Sequence, residues 1–411
     1  MINKVIFFVN SQFCKRDFDR LGIETLKNNG FEVEVWEFTP FLYPDVFRSY
    51  KASDSVDYEG HRLFMTKAEA LKAIFGLSSN CFIVIMFGYY LVSYPIYRAV
   101  SKKKLRYGLV TALAIPAVPA KKDKPQKRVF RERIRRLTPA RISNKLASLV
   151  SRHRINYLIN RIPFSYLGIR PASFNLAGGK KSATAYNYPF GKKTETLWLH
   201  AFDYDIYLRE RVKPFDRNSD IAVFLDDYLP FHPDFIYTGE ASPVSPEKYY
   251  PLLCQFFDFI ENRFNVRIVI ASHPRAQYEN HPDYFDGRIV IRGKTAELIK
   301  KSKFVVCHHS TAISYAVLFH KPLFFMTTDQ VKCSYEGFTV DAMAALFRKR
   351  VINLNDPIGS KINWDQELII NENDYLAYKN DYIKKTGSPD LPFWQIFADR
   401  IKQIGVQEVR S

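Results

Sequence analysis

Short apolar runs rich in Val, Ile and Phe recur along this chain with longer amphipathic stretches between them, and that alternation limits the fold more than any other feature. Parallel strands need a crossover long enough to carry the chain back, so a β-then-α rhythm predicts parallel sheets covered by helices. In the first half, Val5–Val9, Phe31–Trp36, Tyr107–Ile115 and Thr196–His200 read as strands, and a helix is expected from Asp17 to Asn29, stopped by Gly30. In the second half, Ile221–Leu225, Arg267–Ala271, Arg288–Ile291, Phe304–Cys307 and Pro322–Met326 read as strands. Ser245 and Pro246 open a long helix reaching about Phe264, and a short helix is expected over Ser310–Phe319. The polar stretch Arg209–Asp220 reads as a linker. The expectation is α/β: two Rossmann-like domains facing a cleft, over 1–210 and 219–390, with a C-terminal helix over 391–411 able to pack back on the first.

Several function classes are excluded or weakened at once. No GxGxxG follows the first strand, which removes the main support for a dinucleotide-binding dehydrogenase. The most apolar run, Cys81–Val92, is 12 residues, well short of the ~20 a spanning helix needs, and reads as a buried strand running into a helix. Five widely spaced cysteines, Cys14, Cys81, Cys254, Cys307 and Cys333, form no CxxC pair, as expected of reduced thiols in a cytoplasmic protein. The N-terminus enters a strand directly, without the pattern of a secretory leader.

Charge is distributed unevenly. The chain has 60 Lys and Arg against 42 Asp and Glu, a net +18. Arg98–Arg161 alone carries 19 basic residues against Asp123 and Glu132, a net +17. Between 121 and 161 the basic residues interleave with Val, Phe, Ile and Leu at helical spacing, and Pro139 divides the stretch into two amphipathic helices. Such helices suit an anionic membrane surface, where each Lys or Arg contributes about 1 kcal/mol. The alternative is that their apolar sides pack on the domain. No helix-turn-helix, zinc-finger or RNP signature accompanies the charge, so nucleic acid is not an expected partner.

Ligands of open parallel sheets gather beyond the carboxyl ends of the strands. Three ends carry polar groups here: Asp226 and Asp227; Ser272, His273, Pro274 and Arg275; and His308, His309, Ser310 and Thr311. Paired carboxylates suit deprotonation of a hydroxyl, a histidine can protonate or hydrogen-bond a leaving group, and hydroxyls opening a helix suit a phosphate. Each also has a plain structural reading as a turn or cap. Asp203-Tyr204-Asp205 forms a DxD, the spacing that holds a metal on a nucleotide diphosphate in other transferases, but it more simply lines the cleft or structures the interdomain turn. Gly179 and Lys180, after Gly178, are acceptor-side candidates in a flexible turn, as are Asp203 and Asp205.

The ordered set VFLDDYLPFHPD, IASHPRA and CHHSTAISYAVLFHKPLFF, spanning roughly 221–330, resembles the bacterial GT-B sialyltransferases and the related transferases of nonulosonic acids (pseudaminic, legionaminic) and Kdo in surface polysaccharide biosynthesis. The resemblance implies an inverting, metal-independent transfer from a CMP-sugar to a glycan or glycolipid acceptor, without a cofactor. It implies an acidic general base at Asp226 or Asp227, with Asp227 matching the second acid. It further implies that His273 assists departure of CMP and that Ser310 and Thr311 bind its phosphate. His309, Ser272, Pro274 and Arg275 fall beside these positions as further donor-side candidates. One departure is Tyr228, where the pattern has Gly after its two acids. Alternatives are a UDP-sugar or polyol-phosphate transferase of the same fold, or a noncatalytic scaffold docking on membrane or polyanion through 98–161. Sugar, acceptor, linkage and oligomeric state are not legible in the sequence.

Overall fold

The structure is a computed structural model and describes residues 1–49, 51, 54–112, 116, 162–186, 188–215, 219–235, 241–357 and 362–409. The segment 121–161, expected to form two basic helices, lies outside the described residues.

Two parallel sheets account for the β structure. The first contains β1 (Lys4–Val9), β2 (Glu32–Glu37), β3 (His61–Leu63), β4 (Cys81–Ile85), β5 (Arg106–Val110), β6 (Phe174–Ala177) and β7 (Glu195–Trp198), in the order β3-β2-β1-β4-β5-β6-β7. The second contains β8 (Ile221–Leu225), β9 (Arg267–Ser272), β10 (Val290–Arg292), β11 (Val305–Cys307), β12 (Leu323–Thr327) and β13 (Val351–Asn353), in the order β10-β9-β8-β11-β12-β13. The central strands CFIVI and IAVFL are buried along their whole length. Strands covered on both faces become continuous apolar runs rather than alternating ones. Separate cores fill the two faces of each sheet.

The chain then returns. Helix Phe393–Val409 follows the second domain but packs into the core of the first, where Trp394 meets Phe7 edge to face at 4.9 Å and Phe397 meets Phe82 at 5.5 Å. Trp394 Nε1 also donates to the carbonyl of Arg20 at 2.7 Å. Two parallel α/β domains tied by a C-terminal helix that crosses back make this a GT-B fold.

Some local expectations change. The single helix expected from Asp17 to Asn29 is two, Lys15–Arg20 and Ile23–Asn28, broken at Leu21 and Gly22. Gly22 has φ +56°, and a Cβ there would stand 2.2 Å from the Trp394 ring, so the returning helix requires the break. The expected Tyr107–Ile115 strand ends at Val110. Strands β3, β6 and β13, of three, four and three residues, are too short to show a period-two pattern. After β4 the chain forms a loop and then helix Tyr94–Lys102, which buries Ile96, Tyr97 and Val100 and leaves Arg98 and Lys102 exposed. Among the described residues no helix is long and apolar enough to cross a membrane. All five cysteines are free thiols.

Candidate active site

Strands β9, β8 and β11 are neighbours in the second sheet. Adjacent strands lie about 4.8 Å apart, so the three motif-bearing ends, well separated in sequence, converge on one edge.

Asp226, the first residue after β8, is buried, and its carboxylate is fully engaged. It accepts from the Tyr228 amide at 2.9 Å, the Tyr278 hydroxyl at 3.0 Å and the His273 amide at 3.4 Å. Burial pushes its pKa up to about 6 despite those donors. Tyr228 adopts φ +52°, the left-handed region that favours glycine. The Tyr228 ring is held by Phe231 and Tyr278 at 5.4 and 5.2 Å, and its hydroxyl meets His281 Nε2 at 2.9 Å.

Asp227 has fewer donors. Its Oδ2 accepts from the His309 amide at 3.4 Å and lies 3.7 Å from His309 Nδ1. Burial pushes it up to about 7, with the His309 charge opposing that rise and Asp226 adding to it. His309 Nε2 donates to Glu336 at 2.8 Å. Burial disfavours the imidazolium, but the Glu336 hydrogen bond and the charge of Asp227 outweigh burial and raise the His309 pKa. Glu336 is lowered in return, by that same bond.

His273, after β9, behaves oppositely. Burial, then the neighbouring His232 and Arg275, depress its pKa to about 2, so the ring is neutral throughout the physiological range. Its Nδ1 accepts from the Arg275 amide at 3.2 Å, which places the ring proton on Nε2. A hydrogen-bond donor rather than a proton reservoir stands at this strand end. Its neighbours are structural: Ser272 Oγ donates to the His273 carbonyl at 3.3 Å, Pro274 is exposed in the following turn, and the Arg275 side chain is held by Asp234 at 2.8 Å. His232 packs against His273, with ring centroids 4.7 Å apart.

The third end differs from expectation in one respect. The helix after β11 begins at Ile313, not Ser310, and the Ile313 and Ser314 amides already bond the carbonyls of Ser310 and Thr311 at 3.2 and 3.1 Å. Ser310 and Thr311 therefore lie in the preceding turn, Ser310 half-buried with its Oγ accepting from the Ala312 amide, Thr311 exposed. The adjacent His308 is fully buried between the Met326 carbonyl and the Tyr249 hydroxyl, each at 2.8 Å, a structural position.

The acceptor-side candidates separate. Gly179 is tight rather than flexible: a Cβ there would meet the Asp381 backbone at 2.2 Å, and the amides of Lys180 and Lys181 bond the carbonyls of Asn380 and Asp381 at 2.9 Å. Asp205 accepts from the Phe393 amide at 3.0 Å, so it anchors the start of the returning helix. Asp203 accepts from the Tyr315 hydroxyl of the second domain at 3.3 Å and faces Arg20 of the first, with burial pushing it up to about 6. The two carboxylates of the DxD serve different partners, and no group of three or more His, Cys, Asp or Glu among the described residues is placed to hold a metal ion.

Glu336, Tyr278, His232, Arg16 and Arg20 carry no local motif and are not candidates from the sequence. Arg16, on helix Lys15–Arg20 of the first domain, adds to the depression of His273. A cationic helix start following the first strand is the signal that could have drawn attention to Arg16 and Arg20.

No protein-family model matches the chain, and no curated protein matches it in sequence. Among solved structures it is similar to MurG of Acinetobacter baumannii (10% identity over 98% of this chain and 99% of that one, TM-score 0.41). It is similar also to the wall teichoic acid polymerase TagF (11%, 100% and 90%, 0.47) and to the UDP-GlcNAc 2-epimerase of Methanocaldococcus jannaschii in complex with UDP-GlcNAc and UDP (10%, 99% and 100%, 0.44). With scores below 0.5 and about one residue in ten identical, reaction and donor rest on this chain's own residues.

Proposed function

We propose that this protein is an inverting glycosyltransferase that moves a nonulosonic acid or Kdo-like sugar from a CMP donor to a hydroxyl of a surface-glycan acceptor, without a metal or cofactor. The observation that carries the reading is the placement of a buried carboxylate, Asp227, pushed up to about 7 by burial, beyond the end of β8 and next to the end of β9, where His273 presents a neutral Nε2–H donor. Asp227 takes the acceptor hydroxyl proton as that oxygen bonds to the anomeric carbon. The bond from that carbon to the donor phosphate breaks, and its electron pair leaves on the phosphate oxygen. His273 donates a hydrogen bond to that oxygen, with Ser310 and Thr311 beside it. Asp226 holds the turn: three donors already occupy its carboxylate, which leaves Asp227 as the base.

The CMP donor rests on the ordered motifs; the second reading is a UDP-sugar or polyol-phosphate transferase of the same fold with the same base. Transfer and donor hydrolysis with panels of CMP- and UDP-sugars, together with calorimetry of CMP and UDP, separate the two. CMP binding with transfer lost in Asp227→Asn supports the first; tight UDP binding without CMP binding selects the second. Work at the membrane face is proposed from the basic stretch 98–161, and binding to anionic vesicles that persists after neutralising Arg131, Arg133, Arg135 and Arg136 would overturn the role of that stretch.

A further inference from the structure

Glu336 stands on helix Tyr335–Leu346, remote in sequence from all three strand ends, yet it accepts from His309 Nε2 at 2.8 Å. The other ring nitrogen, Nδ1, is buried, makes no hydrogen bond and lies 3.7 Å from Asp227 Oδ2. With Nε2 committed to Glu336, the position left for a second ring proton is Nδ1, facing Asp227. We propose that Glu336 is a positioning residue for transfer: it holds His309 as an imidazolium beside Asp227, so that the base can ionise at a lower pH than its burial alone would allow. This rests on the reading of Asp227 as the base.

The electrostatic reason is the crowding of acids at the end of β8. Asp226 and Asp227 are adjacent and both buried, so each disfavours ionisation of the other. The other ionisable neighbours supply little relief. His308 is neutral, its pKa depressed by burial to about 4. His232 is likewise depressed to about 4 by burial, and Asp234 beside it is acidic. His309 is therefore the cation that offsets the pair, and Glu336 keeps it charged against its own burial. During transfer the acceptor proton moves to Asp227 while His309 retains both of its own.

The test is the pH dependence of kcat/KM for wild type, Glu336→Gln and Glu336→Asp, run beside Asp227→Asn. Losing the imidazolium makes Asp227 harder to ionise, so Glu336→Gln should move the rising limb up by about one pH unit, an about tenfold loss on the acid side that vanishes at alkaline pH. Donor KM should hold, and Glu336→Asp should keep the limb near its original place. A limb that stays put, or a uniform loss with a raised donor KM, overturns the proposal and makes His309 a donor ligand. If Asp227→Asn is inactive while the Glu336→Gln limb is unmoved, only the role of Glu336 fails; if Asp227→Asn stays active, the base assignment itself fails. Should Glu336→Gln not fold, NMR titration of the His309 ring in the unaltered protein decides: an imidazolium persisting through neutral pH is expected, and a neutral ring at pH about 7 overturns the proposal.

Discussion

The carboxyl ends of the two central strands, β1 in the first domain and β8 in the second, start from similar cores and finish differently. Both strands are almost wholly buried. Beyond β1 the chain turns through Phe13, whose amide bonds Glu37 at 3.1 Å, into a helix broken to admit Trp394. Beyond β8 it turns through two buried carboxylates whose pKa values are raised toward neutrality. At the first sheet, the strand end near Gly179 is spent on joining the domains; at the second, the strand ends carry the carboxylates and the histidine proposed to handle protons. The same architecture supports both uses because a parallel sheet fixes where its strand ends lie, not which side chains stand there.

That contrast can be broken by substitution. The largest effect is expected at Asp227: Asp227→Asn should lower kcat by about 10³-fold or more with little change in melting temperature; activity retained in steady-state assays would remove chemistry from the second sheet. Next in size, Trp394→Ala should cost about 3–5 kcal/mol of stability through the cavity it leaves, read by urea unfolding, while kcat of the folded enzyme changes little. Gly179→Ala should also act on stability, by about 1–3 kcal/mol, since its Cβ meets Asp381 backbone that cannot rotate away. At His273 the chemistry is finer: His273→Ala is expected to lose about 10²-fold and His273→Gln, which keeps a donor, about tenfold or less. Equal losses would show that charge, not hydrogen bonding, is needed there.

The smallest effect concerns pH and sharpens the role of Asp226. Burial pushes its pKa from the ordinary carboxylate range up to about 6, so the folded protein resists its ionisation more than the unfolded chain does. The associated stability is present below the unfolded value and is lost as pH climbs through the folded one. Urea midpoints of Asp226→Asn relative to wild type should therefore improve as pH rises from about 4 to about 7. A gap that moves the other way would mean that the three hydrogen bonds to Asp226 outweigh its burial.

Much of this molecule is legible one segment at a time. Ile221–Leu225 and the helix Pro246–Phe264 follow from an apolar run and from a Ser-Pro start, because both patterns are local. The residues that follow the strands, Asp226, Asp227, His273, Ser310 and Thr311, are readable as candidates for the same reason. The helix expected to open at Ser310 opens at Ile313 because the preceding turn closes on its own carbonyls. Glu336 is invisible in sequence: a glutamate on a helix looks like a solvated face until that helix, packed on β12 and β13, brings it to His309 beyond β11.

The sequence by itself determined that the chain is a parallel α/β protein, that nearly all its excess charge lies between 98 and 161, and that polar groups stand at three strand ends in a fixed order. Only the tertiary structure decided that β9, β8 and β11 are neighbours, that Asp203 and Asp205 part company, that Gly179 is an interdomain contact and that Glu336 reaches His309. The periods of strands and helices are set by bonds a few residues long and are written in the sequence. Strand order and the company a buried carboxylate keeps are set by how the crossovers return the chain, which no local period records.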